Sequence, residues 1–271
     1  MFYFRLSMEI EHVPVVIVTG GTRGIGRAIA ERFMASGAQL IVCARKPPER
    51  PLRFEGAGRA GRDRAPEALF VVADVREPAD IERVVATAKE RFGRLDVLVN
   101  NAGGSPPAVA ATASPRFSTA IVTLNLLAPL HFAQRANAVM QEQASGGVIV
   151  NVASVSGLRP SPGTAAYGAA KAGLINLTQS LAVEWAPKVR LNCVAPGPIR
   201  TEITELHLGD AAAQAKVAAT IPLGRLGEPA DVADACFWLA SPASRFVSGA
   251  CLVLHGGGEM PAFLTAVHAA D

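Results

Sequence analysis

Short runs of β-branched and other apolar residues alternate along this chain with segments of helical periodicity. A strand buried on both faces of a parallel sheet reads as a continuous apolar run, and the helix in each crossover covers the sheet. Half of the 271 residues are hydrophobic. We therefore predict an α/β fold, a single-domain doubly wound Rossmann fold with about seven parallel strands flanked by helices. The predicted strands are 13–18, 39–43, 69–73, 95–100, 148–152, 190–194 and 250–254, with helices near 24–36, 78–92, 116–143, 164–186 and 229–240.

The predicted domain spans residues 12–258, because no linker-like segment interrupts the alternation. Residues 1–11 are interpreted as an N-terminal lead, 46–67 as a surface insertion and 259–271 as a tail. No apolar run approaches the roughly 18 residues of a membrane span, and the first residues lack a signal-peptide pattern, so a cytoplasmic protein without a membrane partner is expected. The four cysteines include no CxxC pair and suit buried reduced thiols, so no metal site is predicted.

The formal net charge of +3 is unevenly distributed. Residues 45–64 carry seven basic and three acidic side chains. Such a patch can bind nucleic acid, but its proline, glycine and arginine content without apolar periodicity is more typical of a solvated loop. No nucleic-acid-binding fold accompanies the patch, so no nucleic-acid partner is predicted.

The first predicted strand leads directly into a glycine-rich turn and then into an amphipathic helix. Glycine lets the backbone turn tightly and approach a pyrophosphate, and the helix N-terminus offers free N–H groups and a positive dipole end to that phosphate. A glycine cluster alone is a weak signal, but its position between a strand and a helix is the context that dinucleotide binding requires. The predicted phosphate-binding residues are Gly20, Thr22, Arg23, Gly24, Ile25 and Gly26.

The end of the second predicted strand indicates which dinucleotide is expected. A NAD site usually places Asp or Glu there to accept hydrogen bonds from the ribose 2′-hydroxyl. This strand ends in Cys43-Ala44-Arg45, with Lys46 following, and has no carboxylate to repel a 2′-phosphate. Arg45, with Arg23 in the glycine turn, could clamp that phosphate in fork geometry; the alternative is that both are ordinary surface arginines. NADP(H) is therefore predicted over NAD(H).

A serine, a tyrosine and a lysine follow the fifth predicted strand at a spacing that suits acid–base chemistry. Ser154 comes just after the strand, Tyr167 thirteen residues later, and Lys171 one helical turn beyond Tyr167. A phenol with a pKa near 10 is a poor base at neutral pH, and a nearby ammonium is expected to lower that pKa. Ser154 can hold a substrate oxygen beside the phenol. The chain has five lysines against 21 arginines, so a lysine at this position indicates a role that arginine would not fill.

Together these residues strongly resemble the short-chain dehydrogenase/reductase family, in particular its 3-oxoacyl-ACP reductase-like branch. The resemblance covers about residues 12–258, and its motifs are jointly rather than singly specific. Two features depart from it: the longer, more basic insertion 46–67, and His255-Gly256-Gly257 where relatives usually carry Asp-Gly-Gly. The motifs, in the family's order, are Thr19-Gly20-x-x-x-Gly24-Ile25-Gly26, Asp74-Val75, Asn100-Asn101-Ala102-Gly103, Asn125, Ser154, Tyr167-x-x-x-Lys171, Pro196-Gly197, Pro222 to Pro229 with Asp231-Val232, and Ser248-Gly249.

The resemblance implies a role for each matched residue and a homotetrameric assembly. Tyr167 is implied as the acid/base, and Lys171 as the residue that binds the nicotinamide ribose and tunes Tyr167. Ser154 is implied to polarise the substrate oxygen, and Asn125 to hold a water in a proton relay. The other implied cofactor contacts are Asp74 and Val75 at the adenine, Asn101, Ala102 and Gly103 at the adenosine ribose, and Pro196, Gly197, Ile199 and Thr201 at the nicotinamide.

The substrate is predicted to lie beneath a lid, residues 198–221, and beside the loop 104–114. The lid is largely apolar, which favours a bulky hydrophobic ketone or secondary alcohol, such as a 3-oxoacyl thioester or a steroid-like ring ketone. The alternative is that these apolar residues close on the core rather than on a ligand. The predicted substrate contacts are Ser156, Leu158, Ile203 and Leu206.

Two other function classes remain open. A catalytically silent NADP(H)-binding sensor or scaffold is less favoured, because this chain keeps all four catalytic positions. A sugar-nucleotide epimerase or dehydratase needs a larger C-terminal substrate domain, and only about 70 residues follow Gly197.

Overall fold

The structure, a computed structural model, describes residues 13–53 and 67–260. The predicted N-terminal lead (1–11), most of the insertion 46–67 and most of the tail after residue 258 lie outside the described residues.

Seven strands and eight α-helices occur in the described part of the chain. Every predicted strand and helix is present, with ends that shift by at most two residues. The strands are β1 (Val15–Thr19), β2 (Gln39–Ala44), β3 (Leu69–Val72), β4 (Val97–Asn100), β5 (Gly147–Val152), β6 (Val189–Pro196) and β7 (Cys251–Leu254). The helices are α1 (Gly24–Ala35), α2 (Pro78–Phe92), α3 (Pro115–Val122), α4 (Ala128–Glu142), α5 (Ala165–Glu184), α6 (Thr204–Leu208), α7 (Ala211–Ala219) and α8 (Pro229–Ala240).

The strands form one parallel sheet in the order β3-β2-β1-β4-β5-β6-β7. The predicted doubly wound, seven-stranded sheet is therefore confirmed. The strand order reverses between β1 and β4, and ligands of open α/β sheets bind beyond the carboxyl ends of the strands at such a switch point. The glycine turn after β1 and the loop after β4 meet at this edge.

Helices cover both faces of the sheet. On one face Phe33 of α1 and Phe237 of α8 meet edge to face with ring centroids 5.4 Å apart, and the guanidinium of Arg32 lies 3.8 Å from the Phe237 ring centroid. On the other face Val84 of α2 and Phe132 of α4 belong to a second buried cluster. Burial on both faces explains why the strands read as continuous apolar runs.

The helix predicted over 116–143 is interrupted by a π-helical turn, Thr123–Leu127. Proline has no N–H, so Pro129 cannot donate to the carbonyl of Asn125 four residues earlier, and the regular helical ladder is broken here. Such turns are frequent at functional sites. The turn carries Asn125 into the interior, where its side chain is fully buried.

None of the helices in the described residues combines the length and apolarity needed to cross a membrane. The same residues contain no group of three or more His, Cys, Asp or Glu side chains that could hold a metal ion. Cys43, Cys193 and Cys236 are buried, Cys251 is half-buried, and all four are free thiols, as predicted.

Candidate active site

A cleft of about 700 Å³ runs across the carboxyl ends of the strands. Its size is typical of sites for small molecules and cofactors. The glycine turn and the ends of β2 and β3 form one end, and the segments after β5 and β6 form the other. The predicted site residues that line it are Gly20, Thr22, Arg23, Gly24, Ile25, Gly26, Arg45, Asp74, Val75, Asn101, Ala102, Gly103, Ser154, Ser156, Tyr167, Lys171, Pro196, Gly197, Ile199, Thr201 and Ile203.

Four predicted site residues lie outside this lining. Lys46 is exposed just beyond Arg45. Leu158 and Leu206 are 50% and 77% exposed. Leu208 lines the cleft, and Leu206 lies two positions earlier in α6, so its side chain is turned away from the cleft. Asn125 is fully buried and does not reach the surface of the cleft. The structure therefore does not support cleft contacts for Lys46 or the two leucines.

The apolar residues of the predicted lid are divided between the cleft and the core. Ile203 and Leu208 line the cleft, whereas Ile221 is buried in the protein interior. The lid also contains α6 and α7, which the sequence pattern did not predict. Ile203 and Leu208 therefore fit the interpretation of the lid as a cover for a ligand, and Ile221 fits its interpretation as a cover for the core.

The glycine turn has the shape that a dinucleotide pyrophosphate requires. Gly20 and Gly24 have φ values of +65° and +52°, in the left-handed region that favours glycine. A Cβ on Gly26 would overlap the carbonyl oxygen of Gly20 and the side-chain amide of Asn101. Helix α1 begins at Gly24, so the N–H groups of its first turn, which have no partner within the helix, lie at the cleft. The residues present fit a dinucleotide.

Asn101 and Thr19 hold the glycine turn against the end of β4. The Asn101 Nδ2 donates to the backbone oxygens of Thr19 and Gly20, at 2.9 and 3.3 Å. The Thr19 Oγ1 accepts the backbone N–H groups of Asn101 and Ala102, both at 3.0 Å. The Asn101 side chain therefore positions the turn. Thr19 is a further site residue, and only its place in the motif pointed to it.

Arginines dominate the end of the cleft beside β2 and β3. Arg23 and Arg45 are exposed to it, and neither has an ion-pair partner among the described residues. Arg76 donates to both carboxylate oxygens of Asp74, at 2.9 and 2.5 Å. These hydrogen bonds hold the pKa of Asp74 below its usual value. This end of the cleft is positively charged and suits an anionic ligand.

Ser154, Tyr167 and Lys171 meet at the opposite end. Ser154 follows β5 with its side chain close to the Tyr167 hydroxyl, and its Oγ accepts the backbone N–H of Ser156 at 3.1 Å. The Lys171 Nζ lies 5.7 Å from the centroid of the Tyr167 ring. It donates to the carbonyl of Val152 at 2.7 Å. Both residues lie in α5, one turn apart.

Desolvation determines the proton affinities of this pair. Burial raises the pKa of Tyr167, and the hydrogen bond with Ser154 opposes that shift. Burial lowers the pKa of Lys171 to about 8, because the ammonium loses its hydration. The expectation that the pKa of Tyr167 lies below its usual value beside Lys171 is wrong for this structure, because the loss of phenolate solvation is the largest influence and raises it.

Asn125 fixes the loop after β4 beside Lys171. Its Oδ1 accepts the N–H of Gly104 at 2.8 Å, and its Nδ2 donates to the carbonyls of Gly104 and Ile121, both at 2.9 Å. A Cβ on Gly103 would lie 2.7 Å from the Asn125 Oδ1 and 3.3 Å from the Lys171 Nζ. A glycine at 103 therefore allows the loop to pass close to both side chains.

Three charged residues of the cleft were not identified from the sequence. Besides Arg76, Arg159 lines the cleft and forms an ion pair with Glu259 at 2.5 Å. Glu202 accepts a hydrogen bond from the backbone N–H of Gly24 at 3.2 Å. These contacts join residues that are far apart in the sequence, so no periodic pattern of apolar residues predicts them. The only signal for Glu202 is that it follows Thr201 directly.

Comparisons with known proteins give a consistent set of relatives. The family model described as "Enoyl-(Acyl carrier protein) reductase" matches residues 20–259. A candidate ketoacyl reductase of the granaticin polyketide synthase of Streptomyces violaceoruber is 36% identical over 94% of this chain and 100% of its own length. The L-rhamnose 1-dehydrogenase (NAD(P)(+)) of Azotobacter vinelandii is 38% identical over 89% of this chain and 95% of its own. The ligand-free structure of the aldohexose dehydrogenase of Thermoplasma acidophilum has a TM-score of 0.80 at 31% identity, covering 91% of this chain and 94% of that one.

Proposed function

The chain belongs to the short-chain dehydrogenase/reductase family and is an oxidoreductase of the alcohol/ketone type that works with a nicotinamide cofactor, and we propose that it uses NADP(H) with Tyr167 as its proton donor and acceptor. The observation that carries this proposal is the arrangement of the cleft. Ser154, Tyr167 and Lys171 meet at one end, and the glycine turn with Arg23 and Arg45 forms the other.

The side chains at the catalytic end suit a proton transfer coupled to hydride transfer. The nicotinamide, when bound, supplies or takes up the hydride. Tyr167 donates its hydroxyl proton to the substrate oxygen during reduction and accepts a proton during oxidation. Ser154, whose side chain lies close to the Tyr167 hydroxyl, donates to the same substrate oxygen and orients it.

Lys171 and Asn125 assist proton transfer by Tyr167 without contacting the substrate oxygen themselves. Lys171 is protonated below its pKa of about 8, so at neutral pH its ammonium stabilises the phenolate that forms as Tyr167 gives up its proton. Both hydrogens of the Asn125 Nδ2 are used by backbone carbonyls. One lone pair of its Oδ1 remains for a relay water.

The preference for NADP(H) rests on charge at the end of β2. The strand ends at Ala44 without a carboxylate, and Arg45 follows it. A guanidinium in fork geometry pairs with two phosphate oxygens at once. Arg23 faces the same end of the cleft, so the two form the clamp for a 2′-phosphate.

A hydrophobic ketone or secondary alcohol, such as a 3-oxoacyl thioester or a steroid-like ring ketone, is the proposed substrate class. Leu124, Ile203 and Leu208 contribute apolar side chains to the lining of the cleft. The relative named as a candidate ketoacyl reductase is consistent with this class. The two relatives named as sugar dehydrogenases define the competing class, polyols and sugars.

We also propose a cytoplasmic homotetramer. Phe246 is fully exposed and Val183, on α5, is 81% exposed. Large apolar side chains at the surface mark contacts with other chains when they form a patch. Burying them against symmetry mates would remove this surface from water.

A turnover panel tests the proposed function directly. The purified protein is assayed with NADPH against 3-oxoacyl thioesters and ring ketones, with NADP against secondary alcohols and aldoses, and with NADH and NAD in parallel. We expect NADPH-dependent reduction of apolar ketones. Turnover of sugars alone would reject the apolar substrate, a preference for NAD(H) would reject the arginine clamp, and NADPH binding without any turnover would favour the silent binding protein.

A further inference from the structure

Glu202 reaches across the cleft to the N-terminus of α1. Its Oε1 accepts the hydrogen bond from the Gly24 N–H at 3.2 Å. A Cβ on Gly24 would lie 3.3 Å from the Glu202 Oε2 and 3.5 Å from the Thr201 Cγ2. Both oxygens of the carboxylate are therefore close to the backbone that begins the helix.

This is the position that a dinucleotide pyrophosphate requires under the proposed function. The first N–H groups of α1 and its dipole favour an anion there, and a carboxylate is such an anion. Glu202 uses the N–H of Gly24, and its charge repels a second anion at short range. The carboxylate and the pyrophosphate therefore compete for the same end of the helix.

The segment around Glu202 is anchored on one side of this contact. The N–H of Arg200 donates to the carbonyl of Gly227 at 2.7 Å, and the N–H of Gly227 donates to the carbonyl of Pro198 at 2.9 Å. The Thr204 Oγ1, in a buried residue, accepts the N–H of Thr201 at 2.6 Å. Glu202 itself is exposed, so a change of its side-chain rotamer releases Gly24 without disturbing these anchors.

We propose that Glu202 is a built-in competitor of the dinucleotide phosphate, a latch that ties the segment after β6 to the glycine turn and is displaced when NADP(H) binds. The same segment carries Ile203 and Leu208, which line the cleft and belong to the proposed substrate lid. Displacing the latch frees these two residues to adjust to substrate, which links arrival of the dinucleotide to shaping of the substrate site. The inference rests on the proposed dinucleotide site.

The dissociation constant of NADPH, measured by titration calorimetry, tests the latch. Glu202→Gln removes the carboxylate charge and weakens the hydrogen bond to the Gly24 N–H. The fraction of protein whose glycine turn is free to bind the pyrophosphate then rises, and the apparent affinity rises with that fraction. We therefore expect NADPH to bind about 3- to 10-fold more tightly. Glu202→Ala removes the contact and should tighten binding at least as much. Glu205→Gln is the matched control, since it removes the same charge from an exposed position of the same segment; less than about a twofold change is expected.

A ligand without a pyrophosphate separates competition at Gly24 from general repulsion. Adenosine 2′-monophosphate can engage Arg45 without approaching Gly24, so its affinity should be the same in wild type and in Glu202→Gln. An unchanged or weaker NADPH affinity in both Glu202 variants would overturn the latch, as would equal tightening in Glu205→Gln. A wild-type protein that binds no NADPH at all would instead refute the proposed function, so the two failures are distinguishable.

Discussion

The pKa values of Tyr167 and Lys171 depend on how deeply each side chain is buried as well as on the groups beside it. Tyr167 and Lys171 lie one helical turn apart, which their spacing predicts. Burial raises the pKa of the tyrosine and lowers that of the lysine to about 8, which their spacing does not predict. Desolvation acts on whichever form is charged, so its direction depends on how deep each group lies, and depth is set by the packed structure.

Lys171→Met is expected to stabilise the protein at neutral pH and to remove a pH dependence. The lysine pKa falls from 10.5 to about 8 on folding, so the unfolded state binds more protons between these values and wild-type stability rises with pH across this window. Below about pH 8 the wild type bears the full cost of the buried charge, on the order of 3 kcal/mol. The stability gap between variant and wild type should therefore narrow from pH 8 to 10.5. Urea unfolding at several pH values measures the gap, and a constant gap would contradict the shift.

Arg45→Ala should weaken NADPH binding far more than NADH binding. A charge-assisted pair with a phosphate contributes about 1.5 to 3 kcal/mol, so the NADPH dissociation constant should rise by about 10- to 100-fold while that of NADH changes by less than about threefold. Arg50→Ala is the control, because Arg50 is exposed nearby without lining the cleft. Equal losses for the two cofactors would refute the role given to Arg45.

Among the elements, the π-helical turn between α3 and α4 matters most for the site. It brings Asn125 into contact with the loop after β4, where its amide satisfies both backbone groups of Gly104. The apolar spacing of the segment is that of an ordinary helix, so the sequence predicted one continuous helix. Pro129 is the only local sign of the break, and proline at the start of a helix is common.

Asn125→Ala should reduce both stability and turnover. It leaves the N–H and carbonyl of Gly104 and the carbonyl of Ile121 without these partners, a loss of about 2 to 4 kcal/mol in unfolding free energy. Turnover should fall as well, because the loop beside Lys171 loses its anchor. Asn176→Ala on α5 is the control, since Asn176 is exposed and should change stability by less than about 0.5 kcal/mol. Similar stability for the two variants would contradict the anchoring role.

The sequence predicted the strands of the sheet but not the helices of the lid. All seven strands were predictable because burial on both faces leaves a continuous apolar signal. Helices α6 and α7 were not. The first has five residues and the second, rich in alanine, buries no side chain. A helix without an apolar face leaves no periodic pattern to read.

At the scale of the whole molecule, the parallel sheet explains why the candidate site was largely predictable. Residues that follow different strands converge, because the strands present their carboxyl ends at one edge. Arg76, Arg159 and Glu202 escaped prediction because their positions in the cleft depend on contacts made only after folding.

Assembly is a second property of the whole molecule that can be measured. Phe246→Asp places a charge on a fully exposed aromatic position, and burying an unpaired charge in an interface is unfavourable. We expect light scattering to report a tetramer for the wild type and a smaller species for the variant, with an unchanged far-ultraviolet circular dichroism spectrum. A variant that remains tetrameric would place the interface elsewhere.

The most direct test of the account is the Tyr167→Phe variant, assayed for turnover and for NADPH binding in the same preparation. The substitution removes one hydroxyl and keeps the ring, so the cleft is preserved while the proton donor is lost. Because general acid–base catalysis contributes about 10²- to 10⁴-fold, we predict that turnover falls by at least about 100-fold while the NADPH dissociation constant changes by less than about threefold. Turnover close to that of the wild type would contradict the account.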